Sequence, residues 1–552
     1  MASLPLPLLL LISPFVLAAA VLAWTYLYTN LRYRLSLRHY TSAFASTKPQ
    51  PPPHIPYTVP FLGSALQFLT RRPGEYWPHL FKTHPRSTGA CTILLGGQTT
   101  HLLFSPSAIL ALFKARGPTR DGFNQDILEK CMGIKRREAL RYYALKEGAD
   151  DTGLTPLQQQ ERINDQYLLK TSAVDEMTSK FTEVLRAELE TELTGGDDEI
   201  KEVGLYAWLQ EHMFKASTTA FMGSRILEIY PELREEFFDF DRVMLSLLMG
   251  IPKFIIPDAH EVRTKVLDGM ERFHLKIDEE RKGKVVDPDG DINWEPTFGS
   301  RANRARQVYY ERRGLETRTR AGLDLGMLFG LSSNAIPASG WMLMHILDPN
   351  GDKTLLGRVM DELVTARSQD GSVDIATLCA LPLLHSIFHE TLRLYVDVFV
   401  TRQLKDDIVV PLDDGKRRLL LKKSGVVIAP SWLGSRDETR WLDPPPDVFY
   451  AERFMRVDQD TGRQAFTTSG TAGKFFPFGG GKTICPGRVF AKQEVLGSVA
   501  MVLLSFDFEF VEFLNEQGKS TERFPGLREG YSGSGVIAMD GDMSVRMRRR
   551  KR

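Results

Sequence analysis

The hydrophobic pattern of the chain sets its first residues apart from the rest. Residues 6–24 carry no charge, the apolar character continues to Leu27, and arginines follow directly at 32, 34 and 38. A helix of this length, at about 1.5 Å per residue, spans roughly 30 Å, which is the thickness of a bilayer core. The pattern predicts a transmembrane anchor over residues 1–30. By the positive-inside tendency, the body of the protein lies on the cytosolic side.

A cleaved signal peptide is the alternative interpretation of the same segment, although it normally has a basic start and a shorter apolar core. Prolines cluster next, in Pro49-Gln-Pro-Pro-Pro-His-Ile-Pro56. Such clusters favour extended polyproline conformation and act as stiff spacers. We therefore predict a basic, proline-rich hinge over residues 31–60 and one large domain over residues 61–552.

The body of the chain reads as mainly α with small β-sheets. Helical periodicity dominates from about 155 to 395, and short strands are predicted over 398–430. The stretch Cys91–Phe104 reads as a β-hairpin that turns at Gly96-Gly97. An unusually apolar break, Leu247–Pro257, separates two helical segments. It is interpreted either as core or as a surface that contacts a membrane.

Composition narrows the function classes. The chain has 552 residues, of which 43% are hydrophobic and 25% charged, and these values are typical of a globular protein with a large core. The net charge of +1 gives no electrostatic indication of a nucleic-acid partner. Four scattered cysteines form neither a disulfide framework nor a zinc-type pair, which fits a reducing compartment.

The most informative segment is Phe478-Gly-Gly-Gly-Lys-Thr-Ile-Cys485-Pro-Gly487. A glycine-rich loop can lie flat against a planar ligand, and Pro486 favours a helix start directly after Cys485. The positive end of that helix favours a thiolate, and a thiolate in such a place suits an axial bond to haem iron. A buried structural cysteine is the alternative. A phosphate-binding loop is excluded, because Phe476 stands where that motif requires glycine.

A second pattern is Glu390-x-x-Arg393, late in a helix that we predict to begin near Pro382. Residues three apart share a helix face and can form a bidentate ion pair. Taken alone, such pairs are common on solvated helices. Here Arg453 and then Cys485 follow in order along the chain.

The cysteine segment resembles the haem-binding loop of cytochrome P450 enzymes, F-x-x-G-x-(R/H)-x-C-x-G. Phe478, Gly481, Cys485 and Gly487 match this pattern, whereas Thr483 stands at its basic position. The resemblance implies the cytochrome P450 fold, haem b as cofactor with Cys485 as the iron ligand, and residues 61–552 as the haem-thiolate catalytic domain.

The same resemblance assigns roles to several charged residues. Glu390, Arg393 and Arg453 would form the structural triad behind the haem, with Ala451 in place of the usual proline. Arg402 matches an arginine that often contacts a haem propionate, with an ordinary surface strand residue as the alternative. Many P450 enzymes carry W-x-x-x-R near the propionates. Residues 120–150 contain no tryptophan, so no residue is assigned to that role.

The central helix departs from most P450 monooxygenases, in which an acid and an alcohol relay protons to bound oxygen. Asn334 and Ala335 stand at these catalytic positions, and neither side chain can titrate. Ordered water, a substrate hydroxyl, Ser333 or Ser339 would then have to carry the protons. The Asn-x-x-Pro337 pattern, with Thr483, resembles a branch that contains sterol 7α- and 12α-hydroxylases and prostacyclin synthase.

The resemblance implies a monooxygenase that oxidises a bulky lipophilic substrate, such as a sterol, terpenoid or other secondary metabolite. It would use O2 and electrons from NADPH-cytochrome P450 reductase, and it would sit in the endoplasmic reticulum membrane as a single-pass protein. A haem-thiolate isomerase or dehydratase without a reductase is the alternative. A haem protein that only binds a ligand is a third hypothesis.

Overall fold

The computed structural model describes residues 6–42, 48–70, 75–143, 147–149, 153–193, 199–368, 372–413, 415–458, 462–528 and 533–550. Helices dominate this part of the chain, and strands are short and grouped into small sheets. The prediction of a mainly α fold with small β-sheets is confirmed.

The helices have these bounds: α1 Leu6–Ser42, α2 Ala65–Thr70, α3 Tyr76–Thr83, α4 Pro106–Lys114, α5 Asp121–Asp126, α6 Arg136–Tyr143, α7 Pro156–Asn164, α8 Thr171–Thr191, α9 Leu205–Met222, α10 Arg225–Ile229, α11 Leu233–Leu248, α12 Pro257–Arg281, α13 Arg301–Arg312, α14 Thr317–Leu347, α15 Leu355–Thr365, α16 Ile375–Leu378, α17 Pro382–Tyr395, α18 Ser431–Ser435 and α19 Arg488–Ser505.

The strands have these bounds: β1 Ala90–Leu95, β2 Gln98–Leu103, β3 Ile200–Gly204, β4 Trp294–Glu295, β5 Gly299–Ser300, β6 Val396–Gln403, β7 Ile408–Pro411, β8 Arg418–Leu421, β9 Val426–Pro430, β10 Met455–Val457, β11 Gln464–Phe466, β12 Phe506–Asn515, β13 Ser520–Thr521, β14 Ser534–Val536 and β15 Gly541–Arg549.

Within the described residues, these strands form two sheets and three two-stranded ribbons. The larger sheet has the order β1-β2-β9-β6-β14, and within it only β2 and β9 run parallel. The second sheet has the order β13-β12-β15-β3. The hairpin of β1 and β2 pairs Ala90 with Leu103 and Leu95 with Gln98, which confirms the predicted turn at Gly96-Gly97.

The N-terminal helix is longer than the sequence predicted. α1 continues to Ser42, so the first part of the predicted hinge, residues 31–42, is helical. Its segment Pro14–Arg38 is long and apolar enough to cross a membrane. Thr29 Oγ1 donates a hydrogen bond to the Tyr57 carbonyl at 3.0 Å, and Tyr33 OH donates to the Thr83 carbonyl at 3.0 Å. The helix therefore contacts the large domain directly.

The core forms around α14, the central helix of 31 residues. The helices α9, α12 and α19 pack against it, α8 packs against α9 and α19, and α14 also contacts α17 and β14. Two parts of the chain face each other across the space beside α14: the larger sheet, with β6 and β14, and the segment that leads into α19. This packing encloses a cavity.

The apolar break between helices reaches from that cavity to the surface. α11 ends at Leu248 and α12 begins at Pro257. Leu248 and Met249 line the cavity, whereas the side chains of Phe254 and Ile255 are 83% and 59% exposed. The segment therefore combines the two interpretations that the sequence allowed, because one end is internal and the other is an exposed apolar surface.

Candidate active site

A cavity of about 690 Å³ lies between α14 and the cysteine-containing segment. Its wall on α14 consists of Met327, Phe329, Gly330, Leu331, Asn334 and Ala335. The opposite wall includes Phe478, Gly479, Cys485 and Gly487, and β6 contributes Val396 and residues 398–402. The structure thus brings Cys485 and the Asn334-Ala335 pair, far apart in the sequence, to one cavity.

The cysteine loop is closed by backbone hydrogen bonds. The Cys485 N–H donates to the Phe478 carbonyl at 3.0 Å, and α19 begins three residues later at Arg488. The guanidinium of Arg488 donates back to the Cys485 carbonyl at 3.0 Å. The loop is therefore fixed at both ends, and the Cys485 side chain faces the cavity, where surrounding protein shields it from bulk solvent.

Glycine is required at position 481 for a different reason from the one that the sequence suggested. Its φ is +69°, and a Cβ on it would lie 2.6 Å from the Phe113 carbonyl oxygen of α4. A Cβ on Gly480 would lie 2.3 Å from the Phe113 ring. The loop needs glycine here because it presses against α4. Gly479 and Gly480 still line the cavity, where a flat ligand would contact them.

The electrostatics of Cys485 also differ from the sequence prediction. Burial raises the pKa of the thiol, and this effect exceeds the lowering by the N–H groups of Gly487 and Arg488 and by the charges of Arg488 and Arg120. The helix start alone therefore does not make the thiol acidic. A positively charged metal ion as the bonding partner would supply the missing stabilisation of the thiolate.

The structure brings Glu390, Arg393 and Arg453 together in the interior. Arg393 Nε and Nη2 donate to the two Glu390 carboxylate oxygens at 2.7 and 2.8 Å, and Arg453 Nε donates to Oε1 at 2.9 Å. The Tyr450 N–H adds a bond of 3.0 Å to the same oxygen. Glu390 and Arg393 are fully buried and Arg453 is 5% exposed. This is an internal network rather than a solvated pair on a helix surface.

Two arginines line the cavity, the buried Arg402 and the half-buried Arg120, and no carboxylate of the described residues forms an ion pair with either. Arg402 donates to the Gly480 carbonyl at 2.8 Å and to the Thr401 carbonyl at 2.9 Å. Thr119 and Gln403 exchange backbone hydrogen bonds of 3.0 and 2.7 Å, which brings the neighbouring Arg120 next to Arg402. Within the described residues, the Nε of Arg120 is buried and has no hydrogen-bond partner.

Burial lowers the pKa of both guanidiniums, and for Arg402 the charge of Arg120 adds to this effect. Together, burial and that charge lower the pKa of Arg402 to about 10. Since uncompensated charges in the interior are costly, this pair requires an anion that the described side chains do not supply. A ligand with a negatively charged group beside Arg402 and Arg120 would supply that compensating charge.

These features fit haem b. A thiol lies in one wall, a glycine segment adjoins it, and two cavity-lining guanidiniums without a carboxylate among the described residues match the two propionates of the macrocycle. Thr483, at the basic position of the P450 pattern, lines the same cavity. Arg120 offers the positive charge that Thr483 does not. Cys485, Arg402 and Arg120 would hold the haem.

Asn334 and Ala335 both line the cavity, as their positions in the pattern predict. Asn334 Oδ1 accepts a hydrogen bond of 3.0 Å from the Val536 N–H of β14. Ser339, by contrast, is buried and donates to the Ala335 carbonyl at 3.0 Å, with Ser498 Oγ at 3.0 Å from its own Oγ. Neither Ser339 nor Ser333 is among the residues that line the cavity.

A buried acid in the cavity wall was not singled out from the sequence. Glu494 of α19 is 1% exposed and hydrogen-bonded by Ser217 Oγ of α9. Burial raises the pKa of its carboxyl to about 8, and the bond from Ser217 lowers it only in part. The carboxyl is therefore largely protonated at neutral pH. An acid inside the otherwise apolar face of a buried helix was the available signal in the sequence.

Comparison with known proteins agrees with this geometry. The family model described as Cytochrome P450 matches residues 52–524. Cytochrome P450 monooxygenase calL of Penicillium decumbens is 32% identical over 71% of both chains. Cytochrome P450 monooxygenase fsoE of Humicola fuscoatra is 27% identical over 91% of this chain and 88% of its own. Cholesterol 7-alpha-monooxygenase of Cricetulus griseus is 26% identical over 60% of this chain and 64% of its own.

Replacing Arg120 tests the cationic edge of the cavity. Arg120→Gln keeps hydrogen-bonding capacity but removes one charge, so we expect haem to leave the protein about tenfold faster, as loss of a charge-assisted hydrogen bond implies. The measurement is the rate of haem transfer to an excess of an apoprotein acceptor. The exposed Arg116→Gln is the matched control. Equal rates for Arg120→Gln, the control and the wild type would contradict this role.

Glu494 predicts a dependence of stability on pH. Because its pKa of about 8 in the folded protein lies above the ordinary 4.5, the folded state holds a proton that the unfolded state releases. Stability should therefore fall as pH rises from about 4.5 to about 8, and Glu494→Gln should remove this part of the decline. Thermal unfolding midpoints across this range measure it, with the exposed Glu211→Gln as control. An unchanged slope in Glu494→Gln would refute the prediction.

Proposed function

The chain belongs to the cytochrome P450 family, and from this premise we propose that it oxidises a bulky lipophilic substrate with O2 and electrons from an NADPH-dependent reductase. It is a cytochrome P450 monooxygenase. Haem held by a cysteine thiolate supplies the oxygen chemistry in this family, and the protein supplies binding, orientation and electrostatics. The sterol, terpenoid or secondary-metabolite character of the substrate is the proposal.

The observation that carries the proposal is the cavity itself. Its volume is about 690 Å³, and besides the residues that would hold the haem it is lined by residues of α14. The walls around that space are apolar, with Leu331 and Phe329 from α14 and Val396 and Val398 from β6. Apolar walls with few polar groups select lipophilic ligands and orient them by those few groups. A bulky, largely hydrocarbon substrate fits this lining.

The similar proteins support the same substrate class. One is named for the 7-alpha oxidation of cholesterol, and others are fungal monooxygenases. A sterol, a terpenoid or another fused-ring lipid would match the apolar walls of this cavity. We propose this class of substrate.

The proposed location is the endoplasmic reticulum membrane, with Pro14–Arg38 as a single span and the large domain in the cytosol. The contacts of Thr29 and Tyr33 with the large domain hold the base of the span against it. The exposed Phe254 and Ile255 continue into the cavity wall through Met249. A lipophilic substrate would enter from the bilayer along this apolar segment.

A second function is favoured by one specific observation. Among the described residues of the cavity wall, those from α14 include no titratable side chain, because Asn334 and Ala335 occupy the positions of the acid and the alcohol. A haem-thiolate isomerase or dehydratase would need no such pair and no reductase. The relatives named as monooxygenases favour oxidation over this alternative.

Cys485→Ala tests the iron ligand. We expect the variant to lose the absorption band that marks a thiolate ligand in the reduced carbon monoxide complex, since alanine provides no sulfur. Optical spectra of the reduced protein with carbon monoxide measure this. Cys379→Ala, at the end of α16 and outside the cavity lining, is the control and should keep the band. Persistence of the band in Cys485→Ala would exclude Cys485 as ligand.

Metabolite masses test the reaction class. We expect deletion of the gene to cause accumulation of a lipophilic compound that is one oxygen atom lighter than the compound that disappears. Mass spectrometry of the native organism with and without the gene gives this difference, and growth under labelled dioxygen shows where the atom originates. An unchanged mass, or a loss of water across the step, would replace the monooxygenase proposal with the isomerase or dehydratase.

A further inference from the structure

The side-chain amide of Asn334 is held in one orientation by β14. Its Oδ1 accepts the Val536 N–H at 3.0 Å. The neighbouring Gly535 has φ +106°, and a Cβ on it would lie 2.3 Å from the same oxygen. The strand therefore passes directly beside the amide, at a distance that only glycine allows.

The strand that holds the amide is itself anchored. β14 pairs with β6 through Val536 and Val396, and the Ile537 N–H donates to the Tyr395 carbonyl at 2.8 Å. Trp341 Nε1 of α14 donates to the Ile537 carbonyl at 2.8 Å. Because both sides of this contact are fixed, the Asn334 amide has little freedom to turn.

The bond to Val536 decides which end of the amide faces the cavity. A rotated amide would place its NH2 group against the Val536 N–H, so that two donors would meet. The Asn334 side-chain oxygen is therefore the atom that faces β14. Within the described residues, Nδ2 makes no hydrogen bond, and the Asn334 side chain is partly exposed and lines the cavity.

The surroundings of this donor are apolar and open. Of the six α14 residues that line the cavity, Asn334 alone has a polar side chain. A helical side chain leans over the preceding turn. There, apart from the backbone of α14 itself and the two chain neighbours, no described atom lies within 4 Å of where a Cβ on Gly330 would stand. Space for a ligand group therefore lies next to the N–H groups of Asn334.

A lipophilic substrate that fills this space displaces water from the amide. An N–H donor left without a partner in an apolar site lowers affinity, whereas a ligand oxygen at this position restores the hydrogen bond. A site built in this way discriminates against analogues that lack the oxygen. The chemistry of the amide therefore selects for a hydrogen-bond acceptor.

We propose that Asn334 is a specificity-determining residue: its fixed NH2 group binds an acceptor oxygen of the substrate, a hydroxyl or a carbonyl. This inference rests on the proposed function and narrows it to lipophiles that already carry one oxygen beside the bond to be oxidised. In this chain, the residue at the position of the usual relay acid, Asn334, thus orients the substrate.

The test uses ligands that bind whether or not the natural substrate is known. 1-Alkylimidazoles bind haem iron through nitrogen, and a series of equal length can carry one ketone oxygen at successive chain positions. The ketone accepts but does not donate hydrogen bonds. Optical titration of the full-length holoprotein gives the dissociation constant of each ketone relative to the all-methylene parent.

Two variants remove the donor in different ways. Asn334→Asp retains an oxygen for Val536 but presents an ionised acceptor, and Asn334→Leu removes both functions without charge. At one or more ketone positions, we expect the preference for ketone over parent to fall about fivefold in both variants, the effect of one net hydrogen bond. Taking this ratio cancels any general weakening of the cavity. Ser333→Ala, on the same helix but outside the lining, should keep the wild-type ratios.

The outcomes are separable from those of the proposed function. Equal ratios in wild type, Asn334→Asp and Asn334→Leu at every ketone position would overturn the role of Asn334, even if the metabolite masses establish a monooxygenase. A fivefold change would support it even if those masses indicate an isomerase, because binding requires neither electrons nor O2.

Discussion

The site depends on the buried charge network of Glu390. One carboxylate serves two guanidiniums, so the network carries an excess positive charge, which is spread over backbone carbonyls. Arg453 donates to those of Pro444, Pro445 and Val448, and Arg393 donates to those of Ser435 and Pro446. Removing one partner would leave an unpaired charge in the interior, at a cost of about 3–5 kcal/mol. The network thereby fixes residues 435–453 to α17. Lys474 and Asp437, 2.6 Å apart, extend that hold toward the cysteine loop.

The two arginines that line the cavity show the opposite arrangement. Arg393 and Arg453 share a carboxylate, whereas Arg402 has only carbonyl acceptors and Arg120 retains a buried Nε without a partner in the described structure. The same residue type thus has two roles, which differ by the presence of a compensating anion. The compensated pair holds the scaffold together, and the uncompensated pair defines where an anionic ligand must lie. Whether a carboxylate compensates the charge, rather than proximity in sequence, distinguishes the structural arginines from those that would bind a ligand.

The sequence predicted those parts of the site that lie in short segments. Cys485 with its loop and Glu390 with Arg393 are local patterns, and α17 begins at Pro382 as expected. Arg120 could not be found in this way, because the backbone pairing of Thr119 with Gln403 places it beside Arg402. The requirement for glycine at position 481 could not be predicted from the sequence either, since it depends on contact with Phe113 of α4. Contacts between segments far apart in the sequence place these residues, and the hydrophobic periodicity of the chain carries no information about such contacts.

A long-range contact, that of β14 with residue 334, also explains how an asparagine can occupy the position of a catalytic acid. An acid at 334 would bring a carboxylate to the strand, and its second oxygen could relay protons. Asparagine keeps the oxygen that β14 requires and presents N–H groups to the cavity instead. A substrate hydroxyl bound to these N–H groups accepts their hydrogen bond through its oxygen and still has its own O–H to donate. Such a substrate would bring into the cavity the proton donor that α14 lacks. Recognition of the substrate and supply of protons would then depend on the same hydroxyl, and a lipophile without it would be both weakly held and poorly turned over.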